Sequence, residues 1–356
     1  MTNERPGKKD GALRAAIRRV VHERGDLGVA EMREAMTVVM SGHGTDAQIA
    51  ALLVGLRMKG ETVDEIVGAA AAMREKARRM KTIHDRILDT CGTGGDGIGT
   101  FNISTVTAFV AAGAGACVAK HGNYSVSSEC GSADLFEALG VDIRLSVADM
   151  ERCLNEGRIA FLFAPLLHGA MKHAIGPRKE IGVRSIFNVL GPLTNPAGAR
   201  CQLVGVYDRA LVPTIAHVLS RLGSESAWVV HSEEGTDEVT LGGRTFVAAL
   251  EGGTVTSHEV TARDFGLPEV AAADIAGGRP ERNAEIALEI LDGKPGPHRN
   301  TVLANAAVAL LVAGHAGSLT EGVFKAAEAI DSGAARGRLD FLRSFGKGPE
   351  DLLCGE

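Results

Sequence analysis

From about Gly11 to Met80 the apolar positions repeat with the period of a helix. Thr45 with Gln48, and Thr62 with Glu65, each form a capping box, a hydroxyl residue followed three later by an amide or acid. After Thr62, the residues Ile66, Val67, Ala70, Met73 and Ala77 fall on one helical face, and Gly60 closes the helix before it. This predicts a small helical domain over 11–84, with 1–10 a disordered tail. From about Ile87 the period changes. Short apolar runs at Ile87–Cys91, Ala116–Ala119, Val141–Leu145, Ile159–Ala164, Cys201–Val206 and Ala227–His231 read as strands. Helical stretches at Ile103–Ala112, Leu135–Leu139, Val147–Asn155 and Leu211–Leu222 alternate with them. Strand and helix in alternation predict a large α/β domain over 85–356, with a central, largely parallel sheet covered on both faces. Gly252-Gly253 predicts a hairpin between Phe246 and Thr261, and Asn305–Ala313 a closely packed helix of small residues.

Composition narrows the picture. Aromatic residues make up only 4%, so the core is aliphatic, and 45 glycines mark many turns. The net charge of −6 gives no general attraction for nucleic acid. A phosphorylated ligand would have to be held by local groups or through a metal ion. The cysteines, Cys91, Cys117, Cys130, Cys153, Cys201 and Cys354, include no C-x-x-C pair, which argues against zinc or a redox centre and for a reducing cytoplasm. The first residues lack the apolar run of a signal peptide, and no run of about 18 apolar residues predicts a membrane span.

The candidate chemistry is concentrated in 35 residues. Asp89–Gly97 reads DTCGTGGDG; Asn102-Ile103-Ser104-Thr105 and then Lys120-His121-Gly122-Asn123 follow. Glycines let backbone N–H groups approach phosphate oxygens, and a helix opening at Asn102–Thr105 turns its positive end to the same anion. Gly92, Gly94 and Gly97 also fit G-x-G-x-x-G, but a dinucleotide site expects an acid after the next strand, where this chain has Lys120-His121. Both segments fall at the carboxyl ends of predicted parallel strands, where ligands bind in such sheets.

With these blocks come Val126-Ser-Ser128, Gly131-Ser-Ala-Asp134, Phe161-Leu-Phe-Ala-Pro165, Ile186-Phe-Asn188 and Gly191-Pro-Leu-Thr-Asn-Pro196. In this order they resemble the successive motifs of the anthranilate phosphoribosyltransferase family, from roughly Gly11 to the C-terminal helices. The resemblance implies a magnesium-dependent glycosyltransferase. The amine of anthranilate displaces diphosphate from C1 of phosphoribosyl pyrophosphate (PRPP), the second step from chorismate to tryptophan. It also implies a cytoplasmic homodimer joined through the helical domain, no nucleic-acid or membrane partner, a segment about 168–191 returning to that domain, and an active site between the two domains.

Carried over residue by residue, the resemblance assigns PRPP to Gly92, Gly95, Asp96, Thr100, Asn102, Ile103, Ser104, Thr105, Lys120, His121, Gly122, Asn123, Ser127, Ser128 and Ser132. It assigns two Mg²⁺ ions to Ser104, Asp237 and Glu238, and anthranilate to Gly92, Asn123 and Arg178. A guanidinium matches a carboxylate with two parallel bonds, which is why Arg178, with Arg184 as the alternative, is expected to take the acid group. His121 is a proton acceptor or a purely structural histidine. Tyr124, the pair Leu167-His168 and Lys179 depart from the family pattern and bear on the aromatic-acid pocket. Two rivals differ in kind: a nucleoside phosphorylase of the same fold, opposed by Asn123 and Gly191–Pro196, and a nucleic-acid binder, opposed by the charge and the intact acidic motifs.

Overall fold

The computed structural model describes residues 10–125 and 129–345. The expected tail at 1–10 therefore lies outside the described residues except for Asp10, and Ser127, Ser128 and Cys354 lie outside them too. The chain divides into two compact units. One holds the residues up to Arg78 together with Pro165–Pro196; the other holds Arg79–Ala164 and the residues from Ala197 on.

The first unit is helical, with its main elements at Gly11–Ile17, Val29–Met40, Asp46–Lys59, Val63–Lys76 and Lys172–Ile181. Both capping boxes form: Thr45 and Thr62 accept from the amides of Gln48 and Glu65, whose side chains return the bond. Gly60 ends the Asp46–Lys59 helix with φ 90°. Glu65 does more than cap. It is fully buried, and besides the Thr62 amide at 2.8 Å it accepts from the Leu27 amide at 2.9 Å and from Lys59 Nζ at 3.0 Å. Removing one partner of such a buried pair costs about 3–5 kcal/mol, because the other charge is left stranded.

The second unit is built on one seven-stranded sheet: β1 (Leu88–Gly92), β2 (Val118–Gly122), β3 (Ile159–Phe163), β4 (Cys201–Gly205), β5 (Ser226–Ser232), β6 (Thr245–Glu251) and β7 (Thr254–Val260). Their order is β3-β2-β1-β4-β5-β6-β7. The first five pair in parallel; β6 and β7, the hairpin turned by Gly252-Gly253, add antiparallel. The sheet is thus mixed but mostly parallel. Its helix Pro297–Val312 packs on β1, β4, β5 and the Ile103–Gly113 helix; it is buried over 301–310, and the Ile103–Gly113 helix over most of its length.

Two expectations are corrected. Val141–Leu145 is not a strand: Val141 N–H is spent on Phe136 O at 3.0 Å and Arg144 N–H on Asp142 Oδ1 at 2.8 Å. Its alternation reflects burial of Val141 and Ile143 beneath a loop that pairs with no strand. The second strand begins at Val118, later than Ala116, so Lys120 and His121 lie within β2 rather than beyond its tip.

His168, in the helical unit, is 6% exposed and sits among Met40, Met73 and Met171. Burial pushes its imidazole down to about 4, so the unfolded chain takes up a proton first as pH falls below 6.5. Its contribution is intact above that value and is lost between pH 6.5 and 4, about 3 kcal/mol in all. The melting temperature of a His168→Leu variant should therefore change less over that window than that of the parent chain. Parallel curves would refute the assignment.

Candidate functional site

The turn after β1 needs glycine. Gly94, Gly95, Gly97 and Gly99 take φ of 63°, 75°, 78° and 78°, a region that residues with a Cβ rarely adopt. Gly92 is needed for space, since a Cβ there would stand 2.4 Å from Asp237 Oδ2. The turn is pinned on both sides. Thr93 donates its amide to Gly205 O at 2.9 Å, while Gly277 N–H meets Gly99 O at 2.9 Å and Phe101 N–H meets Ile275 O at 3.2 Å.

Asp237 and Glu238, carried on the loop after β5, reach back to this edge. Asp237 Oδ2 accepts from Gly94 N–H at 2.9 Å and Glu238 Oε1 from Ser104 N–H at 3.1 Å. One acid therefore sits on the glycine turn and its neighbour on the first turn of the Ile103–Gly113 helix. The side chain of Asn102, the residue preceding that helix, makes no cap bond; a distant glutamate caps it instead, in agreement with the helix dipole. Both carboxyls are raised above the usual carboxylate range. Desolvation comes first for each, followed by Asp96 for Asp237 and by Asp237 for Glu238.

Lys120 is 1% exposed and its Nζ donates to Thr90 O at 2.5 Å and Ser104 Oγ at 3.2 Å. Burial lowers it from the ordinary lysine value, against the pull of Asp89. Thr90 Oγ1 completes the link by donating to Ser104 O at 2.9 Å. Like-charged carboxylates that partly lose water, beside a hydroxyl and amide donors, form a donor set suited to a hard cation that takes its remaining ligands from phosphate oxygens. Among the described residues no three His, Cys, Asp or Glu gather as a closed metal cage.

The structure brings Gly92, Asp96, Ser104, Lys120, Asp237 and Glu238 together. Gly95 lies in the same turn, and Thr100 forms an isolated bridge with Ala276. Ile103 and Thr105 are buried, and their amides donate to Phe101 O at 2.7 Å and Asn102 O at 3.1 Å. His121 is 8% exposed, and its amide donates to Asp89 Oδ1 at 3.2 Å. Gly122 packs on Ser132, whose hydroxyl donates to Asn123 O at 3.3 Å. Tyr124 donates to Glu137 at 3.1 Å, accepts from Arg144 at 3.1 Å and sets its ring edge-on to Phe163. Arg178 belongs to the helical unit, where its guanidinium lies 5.2 Å from the centre of the Phe187 ring and desolvation lowers its pKa; Lys179 and Arg184 are exposed.

Asn283 was not among the expected residues. It is 2% exposed, donates to Asn102 Oδ1 at 2.8 Å and accepts from Gly278 N–H at 2.9 Å. Asn102 Nδ2 in turn donates to Cys130 O at 3.0 Å. The Asn102 amide is thus committed at both ends, joining the helix start to two other segments. The available signal was an asparagine on the apolar stripe of Pro280–Leu291, alongside Ala284, Ile286, Ala287 and Ile290.

This fold and site are those of a glycosyltransferase: residues 14–77 match the glycosyl transferase family, helical bundle domain, and residues 84–336 the glycosyl transferase family, a/b domain. The chain is 55% identical over 330 residues to the anthranilate phosphoribosyltransferase of Moorella thermoacetica, covering 93% of this chain and 97% of that one. The crystal structure of the enzyme of that name from Thermus thermophilus superposes with a TM-score of 0.87 at 41% identity, covering 93% and 99% of the two chains. The Saccharomyces cerevisiae enzyme in complex with PRPP and Mg superposes at 0.85 with 29% identity, over 94% and 98%; it is also solved with 4-fluoroanthranilate. The chain belongs to the anthranilate phosphoribosyltransferase family.

Replacing Asn283 by alanine leaves Asn102 Oδ1 and Gly278 N–H without this partner at a part-buried junction. The expected loss is about 2 kcal/mol, read as a lower urea midpoint at unchanged slope. A midpoint shift equivalent to less than about 0.5 kcal/mol would show that the junction is dispensable.

Proposed function

We propose that this chain transfers the phosphoribosyl group of PRPP to the amine of anthranilate, giving N-(5-phosphoribosyl)anthranilate and diphosphate, a step of tryptophan biosynthesis. The observation that carries the reading is the pair Asp237 and Glu238 bound to the Gly94 and Ser104 amides, where a glycine turn and a helix start meet. The yeast relative's complex with PRPP and Mg supports it.

In this reading the amides of Gly92, Gly95 and Asp96 and the start of the Ile103–Gly113 helix wrap the phosphates, with Thr100, Asn102, Thr105, Gly122, Asn123 and Ser132 shaping the cleft. Lys120 holds Ser104 in place and keeps a positive charge beneath the phosphates. Ser104, Asp237 and Glu238 hold magnesium, two ions in the fuller form of the proposal. When bound, magnesium neutralises the charge of the departing diphosphate. Anthranilate's aromatic amine is neutral at pH 7, so its lone pair needs no base to free it, and no protein nucleophile takes part. Positioning and electrostatics supply the rate. His121 is the candidate acceptor for the proton released after attack. Arg178, its guanidinium oriented by the Phe187 ring, is the candidate partner of the anthranilate carboxylate, with Gly92 and Asn123 beside the ring.

A homodimer through the helical unit belongs to the same proposal; Val21 and Met58 there are large apolar side chains left 53% and 84% exposed. A cytoplasmic setting belongs to the same proposal; among the described residues the cysteines are buried thiols with no disulfide between them. No helix among the described residues is long and apolar enough to cross a membrane.

Protein mixed with Mg²⁺, PRPP and anthranilate should consume anthranilate fluorescence. A flat trace, with turnover instead of a nucleoside and phosphate, would transfer the chain to the phosphorylases. The variant Asp237→Asn with Glu238→Gln keeps acceptors for the Gly94 and Ser104 amides but removes the charge. Its turnover should fall at least about a thousandfold, roughly 4 kcal/mol, while its melting temperature is kept. Near-parental rates would end the metal assignment.

A further inference from the structure

Helix Pro297–Val312 is small and aliphatic along its buried length except at Thr301 and Asn305. The Thr301 hydroxyl turns back onto its own helix, donating to Pro297 O at 3.0 Å. Asn305 turns only one of its hydrogens back in this way, and the rest of its amide reaches off the helix. It is fully buried, where an unpaired amide would be strongly unfavourable. Its Oδ1 accepts from Val239 N–H at 3.1 Å and its Nδ2 donates to Val239 O at 3.0 Å, the second hydrogen going to Thr301 O at 2.9 Å. The side chain therefore grips the N–H and the C=O of one residue, as a neighbouring strand would, on a stretch between β5 and β6 that pairs with no strand.

Val239 directly follows the two acids. Their carboxylates repel each other, and their bonds to Gly94 and Ser104 are side-chain bonds for which a cation competes. The grip on Val239 is a backbone tie that a bound ion leaves untouched. We propose that Asn305 is a positioning residue for the acidic pair, holding its loop by the Val239 backbone so that Asp237 and Glu238 stay at the phosphate edge while they exchange amide donors for metal. The proposal rests on the reading of that pair as magnesium ligands.

The test is Asn305→Ala in the full chain, with Mn²⁺ as probe, titrated at saturating PRPP and followed by electron paramagnetic resonance. A variant that melts cooperatively should bind Mn²⁺ at least tenfold more weakly. Its half-saturating Mg²⁺ in turnover should rise by the same ratio, with KM for anthranilate within twofold of the parent. Unchanged Mn²⁺ affinity in the folded variant would overturn the proposal and leave Asn305 a packing residue. Should alanine prevent folding, Asn305→Ser is read by the same criteria, and amide exchange in the parent chain gives a second measurement. The Val239 amide should exchange as slowly as the sheet core without metal; exchange at the rate of exposed loops would overturn the tie. A parent chain that takes up no Mn²⁺ with PRPP would bring down the magnesium reading itself, and this proposal with it.

Discussion

Two neighbouring carboxylates that repel each other are held at one sheet edge by two backbone amides, and the rest of the second unit serves that arrangement. Asp237 meets Gly94 and Glu238 meets Ser104, so a single loop links the glycine turn after β1 to the start of the helix that follows it. Each acid is destabilised by lost water and by a neighbouring carboxylate, Asp96 for Asp237 and Asp237 for Glu238. A bound cation would offset the carboxylate charge and leave ligand positions for phosphate oxygens, which is how the site's electrostatics bear on its chemistry.

The supporting parts follow from that strain. Gly92 has no Cβ because Asp237 occupies the space, and Gly205 lacks one because the Asp237 backbone passes over it. Lys120, buried under the same edge, offsets negative charge from below while its ammonium is satisfied by Thr90 and Ser104. Asn102 gives up its usual capping role and serves as a junction, fixed by Asn283 and the Cys130 carbonyl. The helical unit is organised by another buried acid, Glu65, whose partners are two amides and a lysine. In both units a carboxylate held by backbone donors sets the local geometry.

Much of this was legible in the chain. Capping boxes at Thr45 and Thr62 report short-range hydrogen bonds, and the strands β1, β3, β4 and β5 appear as apolar runs because each is buried on both faces. The glycine turn was visible because positive φ restricts residue type, and the acidic pair because its block resembles a family motif; two adjacent acids alone would read as a solvated loop. Val141–Leu145 misled because alternating burial marks a covered loop as readily as a strand; backbone pairing leaves no trace in side-chain pattern. Asn283 and Asn305 escaped because their partners lie 181 and 66 residues away, and one polar residue on an apolar stripe does not say what it holds. Ser127 and Ser128 lie outside the described residues.

The most direct measurement is a crystal structure of this chain with PRPP and Mg²⁺. Diphosphate oxygens should lie against the Gly92–Asp96 amides, with the ion between them and the Asp237 and Glu238 carboxylates. Ligand density at any other edge of the sheet, with those carboxylates still bonded only to Gly94 and Ser104, would contradict this placement.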